Sequence, residues 1–314
     1  MKLGIDMGGM SIKMGLVNEE NEIIGRITIP TDLTVPYQVL VERVADAVQQ
    51  MLENAGMTLE QCEGIGIGSP GTIDAKQGVI LYSNNFGWEN VPIVEELKKH
   101  LDTRIEIAND ADAAALGEVC AGAAEGAENA VLLTLGTGVG GGVILDKKIF
   151  HGAMPGGCEL GHLSIRYDGI RCTCGRKGCL EAYASASALL RIAREKSAEH
   201  PESIMNEMCG NDLEQMNGKI PFDAAKAGDE AGMEVVKEYE GYLACGIANV
   251  INTFRPEKVI LGGGVAAQRE NLTAPLKGLV KDMCFGGSHG YIADIVTSVL
   301  GNDAGIIGAA NLVV

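Results

Sequence analysis

Between His162 and Glu181 the chain reads H-x9-C-x-C-x4-C-x-E, with His162, Cys172, Cys174, Cys179 and Glu181 as fixed points. One imidazole and three thiols are a full tetrahedral set for zinc, which closes structural sites with four nitrogen and sulfur ligands. Gly175 and Gly178 lie between the thiols, where a tight knuckle needs backbone without a Cβ. Two carboxylates flank the set, Glu159 three residues before the histidine and Glu181 two after the last thiol. A purely structural clip needs neither. The pattern therefore reads as a zinc-stiffened wall of a polar ligand pocket, with redox-active or fortuitous thiols as the alternative. Nine cysteines cannot all pair within one chain, and Met1 to Asp6 carry no charged-then-apolar secretory pattern. A reducing, cytoplasmic setting is expected, where such spacing means metal more often than disulfide.

Three glycine turns offer a second kind of chemistry. In Asp6-Met7-Gly8-Gly9-Met10-Ser11-Ile12-Lys13 a carboxylate at a strand end suits Mg²⁺ or its water shell, and Gly8 and Gly9 let backbone N–H groups approach phosphate. Gly136-Thr137-Gly138-Val139-Gly140 has the same logic and adds a hydroxyl. Gly262-Gly263-Gly264 presents bare backbone to an adenine and ribose. A glycine turn between two strands needs no ligand. Three of them, in a chain without G-x-x-x-x-G-K-[ST], predict a nucleotide held between domains of a non-P-loop fold. Asn109-Asp110 opens an alanine-rich helix, where Asp is first of all a cap. Set after a strand and ahead of a second domain, Asp110 would face the inter-domain cleft and is the candidate for proton chemistry.

The elements that must position these groups follow from periodicity. Lys2 to Ile29 predicts three strands, and from Tyr37 the residues Leu40, Val41, Val44, Val48, Met51 and Leu52 recur at helical spacing. Gly64 to Ile67 is a strand ending in a turn at Gly68-Ser69-Pro70-Gly71, Pro92 opens a helix running to His100, and Arg104 to Ile107 is again a strand. A second unit starts near Glu118: strand Ala130 to Leu135, a glycine loop through Gly142, strand Val143 to Leu145, then the cysteine segment. Helices are expected from Glu181 through Arg194 and from Ala231 toward Phe254, then a strand from Lys258 to Leu261 and a short apolar helix from Asp303. Two α/β units, each opening with strands and a glycine turn, suggest a duplicated architecture.

Composition excludes several classes. No apolar run approaches the roughly 18 residues that span a bilayer. With 25 basic against 42 acidic residues the net charge is −17, which repels phosphate backbones and anionic membranes, so neither nucleic acid nor membrane is an expected partner. The 43 glycines are clustered and read as phosphate-approach loops rather than as disorder.

The residues also carry a resemblance. DMGGMSIK at the start, GIGSPGTID from Gly64, NDADAAALGE from Asn109, LGTGVGGGVI from Leu135, GCELGH from Gly157, CTCGRKGCLEAYAS from Cys172 and VILGGGV from Val259 resemble the ROK family of bacterial sugar kinases and repressors, most closely its glucokinases. The resemblance implies a two-domain α/β fold of the actin-like ATPase (ribonuclease H-like) type closing around ATP and sugar. It places the smaller domain at 1–117 plus 303–314 and the larger, with the zinc segment, at 118–302. It implies that Asp110 is the base that takes the proton from a sugar 6-hydroxyl as it attacks the γ-phosphoryl of ATP. Asn109, Glu159, His162 and Glu181 would bind the sugar, with His162 shared between zinc and a hydroxyl. Asp6 would organise Mg²⁺, while Gly8, Gly9, Lys13, Gly136, Thr137, Gly138, Gly262, Gly263 and Gly264 would serve the nucleotide. Structural Zn²⁺ would be held by His162, Cys172, Cys174 and Cys179. A homodimer or homotetramer is expected from the same likeness.

The chain departs from the family pattern in places. Met10 stands where the family usually has Thr, Ala108 precedes Asn109 where Glu is frequent, Asp112 takes a later Asn position, and Asn84-Asn85-Phe86-Gly87-Trp88 replaces Pro-Asn-Leu-x-Trp. The leading expectation is glucose phosphorylation. The alternatives are the same chemistry on N-acetylmannosamine, N-acetylglucosamine, fructose or allose, and a non-catalytic sugar sensor. A repressor is disfavoured, because Asp6 comes too early for a preceding helix-turn-helix.

Overall fold

The apolar alternation at the start of the chain folds into β1 (Lys2–Met7), β2 (Ser11–Val17) and β3 (Ile23–Pro30), an antiparallel meander. The computed structural model describes residues 1–290 and 292–314, which group into two units. The first comprises Met1–Leu132, Gly142–Cys158 and Val299–Val314, and the second Leu133–Gly141 and Glu159–Ser298. The expected division at 117/118 and 302/303 follows motifs. By contacts, residues 118–132 and 142–158 belong with the first unit, where the Glu118 carboxylate accepts from Val299 and Leu300 N–H groups at 3.1 and 3.0 Å.

In the first unit, helix α1 (Tyr37–Asn54) is followed by β4 (Ile65–Ser69) and a small antiparallel sheet, β5 (Thr72–Asp74), β6 (Val79–Ser83) and β7 (Trp88–Val91). Then come α2 (Ile93–Lys98), β8 (Ile105–Asn109) and α3 (Asp110–Ala121). The main sheet has the order β3-β2-β1-β4-β8, with β1, β4 and β8 parallel. Leu40, Val41, Val44, Val48, Met51 and Leu52 of α1 bury against Leu3, Ile5, Ile12 and Met14 of the sheet. This is the amphipathic face that the helical spacing predicts. The β5–β7 meander has no counterpart among the expected elements, because its short strands carry turn-forming residues and little alternation.

The opposite face is closed by α10 (Asp303–Ala310), and the contact is backbone against backbone. A Cβ on Gly4 would collide with the Ile306 carbonyl, and one on Gly66 with the Ala309 carbonyl. Between helices, a Cβ on Gly308 would strike the Ala113 carbonyl, and one on Gly117 the Ala304 carbonyl. Glycine at all four positions removes the side-chain layer that normally separates two packed elements, so backbone meets backbone there.

A second sheet has the order β11-β10-β9-β12-β13, built from β9 (Ala130–Leu135), β10 (Val139–Leu145), β11 (Lys148–Ile149), β12 (Lys258–Gly262) and β13 (Asp294–Thr297). β10 begins at Val139 and not at Val143, so Gly140–Gly142 are strand. A Cβ on Gly141 would meet the Leu160 side chain at 2.8 Å, which is why no apolar period is visible there. The helix expected over Glu181–Arg194 is two, α4 (Glu181–Ala184) and α5 (Ala186–Glu199). Ser185 divides them: its backbone is extended and its hydroxyl accepts from Ala188 N–H at 3.0 Å, an N-cap. The second unit is completed by α6 (Ile204–Met208), α7 (Ile220–Lys226), α8 (Glu230–Phe254) and α9 (Glu270–Met283), with α5, α7 and α9 packed on α8.

The glycine contact gives a stability prediction. Gly to Ala in a helix ordinarily gains about 0.5–1 kcal/mol, but Gly308→Ala must push α3 away. Overpacking of this kind costs about 1–3 kcal/mol, so the melting temperature should fall by several degrees. Gly241→Ala, where a Cβ meets nothing within 4 Å, should hold or raise it in the same thermal melt.

Candidate functional site

Parallel pairing brings the first set of groups together. Register places Asp6 of β1 opposite Gly68 of β4, and Gly68 and Ser69 opposite Ala108 and Asn109 of β8. Asp6, Gly68 and Asn109–Asp110 therefore lie side by side where parallel strands end, the usual ligand edge of an open α/β sheet. Asn109 caps α3, its Oδ1 accepting from Ala111 N–H at 2.9 Å while its Nδ2 donates to the Gly71 carbonyl at 3.1 Å. Asp110 Oδ1 accepts from the same Ala111 N–H at 2.9 Å. Both the cap and the candidate base are thus fixed by the first turn of one helix.

Electrostatically this is a costly corner. Burial raises the Asp110 pKa, partly opposed by hydrogen bonds from Ala111 and Asp110 N–H groups and Asn109. Burial also raises the Asp6 pKa; Lys13 lowers it and the Asp110 charge raises it further. Lys13 Nζ stands 4.0 Å from Asp6 Oδ2. A Cβ on Gly305 would come within 2.8 Å of the Asp6 carboxyl carbon, so α10 also presses on this acid. The turn that follows Asp6 is pinned by Gly8 N–H to the Ser11 carbonyl at 3.0 Å, and Met10 at its tip is 90% exposed.

The second unit assembles the cysteine set. His162 Nδ1 lies 3.7 Å from Cys172 Sγ, Cys174 and Cys179 Sγ are 3.6 Å apart, and all four donor atoms fall within 4.8 Å of one another. Zinc–sulfur bonds of about 2.3 Å at tetrahedral angles separate neighbouring ligand atoms by about 3.8 Å, so chemistry and spacing both fit a tetrahedral cation. The knuckle is shaped by Gly175 (φ 89°) and Gly178 (φ 78°), left-handed positions that suit glycine. Fully buried Cys179 has its thiol pushed up to about 12 by burial, with donation to Cys174 and Cys172 adding to the shift. The exposed Cys174 is shifted down by the Arg176 N–H. Three thiols this close ionise together only beside a positive charge. Glu159 is exposed at the start of the Leu160–His162 turn, its carbonyl accepting from His162 N–H at 3.0 Å.

Glu181 ties this cluster to the glycine loop. Its Oε1 accepts from Cys172 Sγ at 3.4 Å and Thr173 Oγ1 at 3.3 Å, and its Oε2 accepts from Val139 N–H at 3.1 Å. A Cβ on Gly138 would collide with Oε2. The loop is also held by Gly136 N–H to the Gly138 carbonyl (3.0 Å), Ala186 N–H to the Gly136 carbonyl (2.8 Å) and Ser187 Oγ to the Thr137 carbonyl (2.8 Å). Sequence reasoning does not find Ser187 or Thr134, whose hydroxyl accepts from Gly140 N–H at 3.2 Å. Isolated hydroxyls carry no spacing signal. The third turn behaves differently: Gly262 ends β12, Gly263 takes φ 82° against the Leu135 backbone, and only Gly264 opens onto a cavity of about 500 Å³. Gln268, Asn271, Lys219, Asp223 and Lys226 share that cavity.

Comparisons with known proteins bear on this geometry as a whole. Residues 2–314 match the profile described as the ROK family. A glucokinase of Thermotoga maritima is 37% identical over 312 residues, covering 99% of this chain and 96% of its own length. A glucokinase of Halalkalibacterium halodurans is 36% identical over 315 residues, with 99% and 94% covered. The crystal structure of a ROK family glucokinase from Streptomyces griseus in complex with glucose and AMPPNP superposes with a TM-score of 0.78 at 32% identity, covering 99% of this chain and 98% of that one. The aligned acids at the parallel strand ends, the glycine loops and the cluster of one histidine and three cysteines thus occur together in a chain that belongs to the ROK family.

Proposed function

We propose that this protein is a sugar kinase that transfers the γ-phosphoryl group of ATP to the 6-hydroxyl of a hexose, with glucose as the leading acceptor. The observation that carries the reading is the alignment of Asp6, Gly68 and Asn109–Asp110 at the ends of three parallel strands, in a chain similar throughout its length to glucokinases. In this reading Asp110 takes the hydroxyl proton as the sugar oxygen attacks the γ-phosphorus. The bond from that phosphorus to the bridging oxygen breaks, and ADP leaves with the electron pair. A carboxylate whose pKa is raised by burial is a stronger base than a surface one, which suits it to this task. A base supplies about 10²–10⁴-fold; positioning and charge neutralisation supply the larger part in phosphoryl transfer.

Other roles divide by unit. In the first, Asn109 holds the sugar beside the base, Gly8 and Gly9 offer backbone N–H groups to phosphate, and Asp6 with Lys13 serves the charged end of the nucleotide. Magnesium, when bound near Asp6, neutralises phosphate charge. In the second, Gly136, Thr137 and Gly138 line phosphates, and the turn Gly262–Gly264 with its cavity of about 500 Å³ receives the adenosine. His162, Cys172, Cys174 and Cys179 hold zinc, which keeps the thiols ionised and fixes the tautomer of His162. Glu159 and Glu181 accept hydrogen bonds from sugar hydroxyls, and His162 turns the ring nitrogen not used by zinc toward one.

Other hexoses and N-acetylhexosamines are the second reading, since they differ at C1 to C3 and leave the phosphoryl chemistry unchanged. The −17 charge opposes nucleic acid and anionic membrane surfaces, and among the described residues no helix is long and apolar enough to cross a membrane. A cytoplasmic homodimer or homotetramer is inferred from the family likeness alone.

The deciding assay is coupled ADP formation with ATP, magnesium and a panel of hexoses and N-acetylhexosamines. Glucose should be turned over most efficiently, and Asp110→Asn should lower kcat by at least about 10²-fold; no ADP with any sugar would refute the kinase reading. The raised Asp110 pKa sets a pH dependence: kcat/KM should fall on the acid side at a pH above the ordinary carboxylate value of about 3.9. Stability has the opposite sense. The folded state binds this proton more tightly than the unfolded chain, so stability from it is present below the unfolded pKa and lost as pH rises through the folded one. In thermal melts Asp110→Asn should therefore match or exceed the parent at neutral pH, and the gap should close below about pH 4. Removal of zinc by a chelator, or Cys174→Ser, should weaken glucose binding at least tenfold and lower the melting temperature. Structural zinc is worth about 10–16 kcal/mol in small peptides. Unchanged glucose affinity in calorimetry of the metal-free protein would contradict the coupling.

A further inference from the structure

The β1–β2 turn is held by three hydrogen bonds, and two of them come from one residue outside every motif discussed above. Thr31, just beyond β3, donates its backbone N–H to the Met10 carbonyl at 3.0 Å and its Oγ1 hydroxyl to the Gly8 carbonyl at 2.6 Å. The third bond is Gly8 N–H to the Ser11 carbonyl. The carbonyls of Gly8, Met10 and Ser11 are thus all engaged on the protein side. Among the described residues the N–H groups of Gly9 and Met10 have no hydrogen-bond partner, and a Cβ on Gly9 meets nothing within 4 Å. Two consecutive free N–H groups beside open space are donors available to an anion.

Thr31 is itself braced. The next residue, Asp32, accepts from Thr34 N–H at 3.1 Å and from Thr34 Oγ1 at 2.6 Å through Oδ1, and from Arg43 Nη1 of α1 at 3.0 Å through Oδ2. The segment from the end of β3 to α1 is therefore tied to the helix that covers the sheet. Met10, with an exposed thioether, adds no hydroxyl to this turn.

We propose that Thr31 is a positioning residue: its hydroxyl fixes the Gly8 peptide so that the Gly9 and Met10 N–H groups converge on a phosphate of the nucleotide. The inference rests on the kinase reading and deepens it at the phosphate loop. Loss of the hydroxyl releases the Gly8 carbonyl, and with it the Gly8–Gly9 peptide that carries the Gly9 N–H, while leaving the base and the sugar contacts in place.

Thr31→Val keeps the shape and the backbone N–H but deletes the hydroxyl, and Thr31→Ser restores it. Steady-state kinetics should show KM for ATP raised about tenfold in Thr31→Val, with KM for the hexose within about twofold of the parent and Thr31→Ser close to the parent. Titration of a fluorescent ATP analogue into sugar-free protein should show the same loss independently of turnover. Parental ATP affinity in Thr31→Val overturns the inference, as does a loss shared equally by the hexose KM and by the melting temperature. A parent protein that binds the analogue without phosphorylating any hexose refutes the kinase reading, while a tenfold loss in Thr31→Val would still support the role of Thr31. A parent that binds no nucleotide overturns both.

Discussion

Backbone touching backbone across α10 is the constraint on which the first unit depends. Gly4 and Gly66 in the sheet, with Gly117 and Gly308 in the helices, leave no space for any side chain atom between these elements. Dispersion attraction is short-ranged, so close approach of this kind gains many contacts and tolerates no added volume. The consequence for chemistry is direct. α3 begins with Asp110, and its axis is set by α10; β1 carries Asp6 near its end, and α10 presses on that carboxyl through Gly305. Two acids whose charged forms are opposed by burial stay close together because the framework beneath them cannot yield.

The second unit solves a related problem with a single side chain. Glu181 receives the Thr173 hydroxyl and the Val139 N–H and lies 3.4 Å from Cys172 Sγ, so it joins the cysteine knuckle to the glycine loop. Its first-turn position on α4 follows only two residues after Cys179, so the knuckle also fixes where that helix begins. Any displacement of the thiols would be passed to Val139 and to the loop.

Much of this is legible in residue types and spacing. The His162–Cys179 set announces itself because four zinc-type ligands in so short a stretch have few other uses, and the structure brings all four donor atoms together. Asn109–Asp110 is readable as a cap, and the cap geometry is what the structure displays. The hydrophobic face of α1 is equally plain. Other features have no local signature. The break at Ser185 interrupts an unbroken helical pattern with one hydroxyl cap, and β10 hides its start in glycines that have no side chains to alternate. The α10 groove is unreadable because Gly4, Gly66, Gly117 and Gly308 are far apart in sequence and each alone looks like flexibility. Thr31 escapes notice for the same reason: its partner carbonyls belong to a turn two strands earlier.

The order in which the chain is made gives the α10 contact another meaning. On the ribosome, β1 through α3 emerge first, yet the helix that fills their glycine-lined groove arrives only after the whole second unit has been synthesised. Until then the nascent sheet shows one finished face, under α1, and one bare face of backbone and small residues. Such an intermediate is held by long-range contacts it cannot yet form, a condition that slows folding and invites association between unfinished chains. The corner that holds Asp6 and Asp110 is thereby completed only after the second unit has been made.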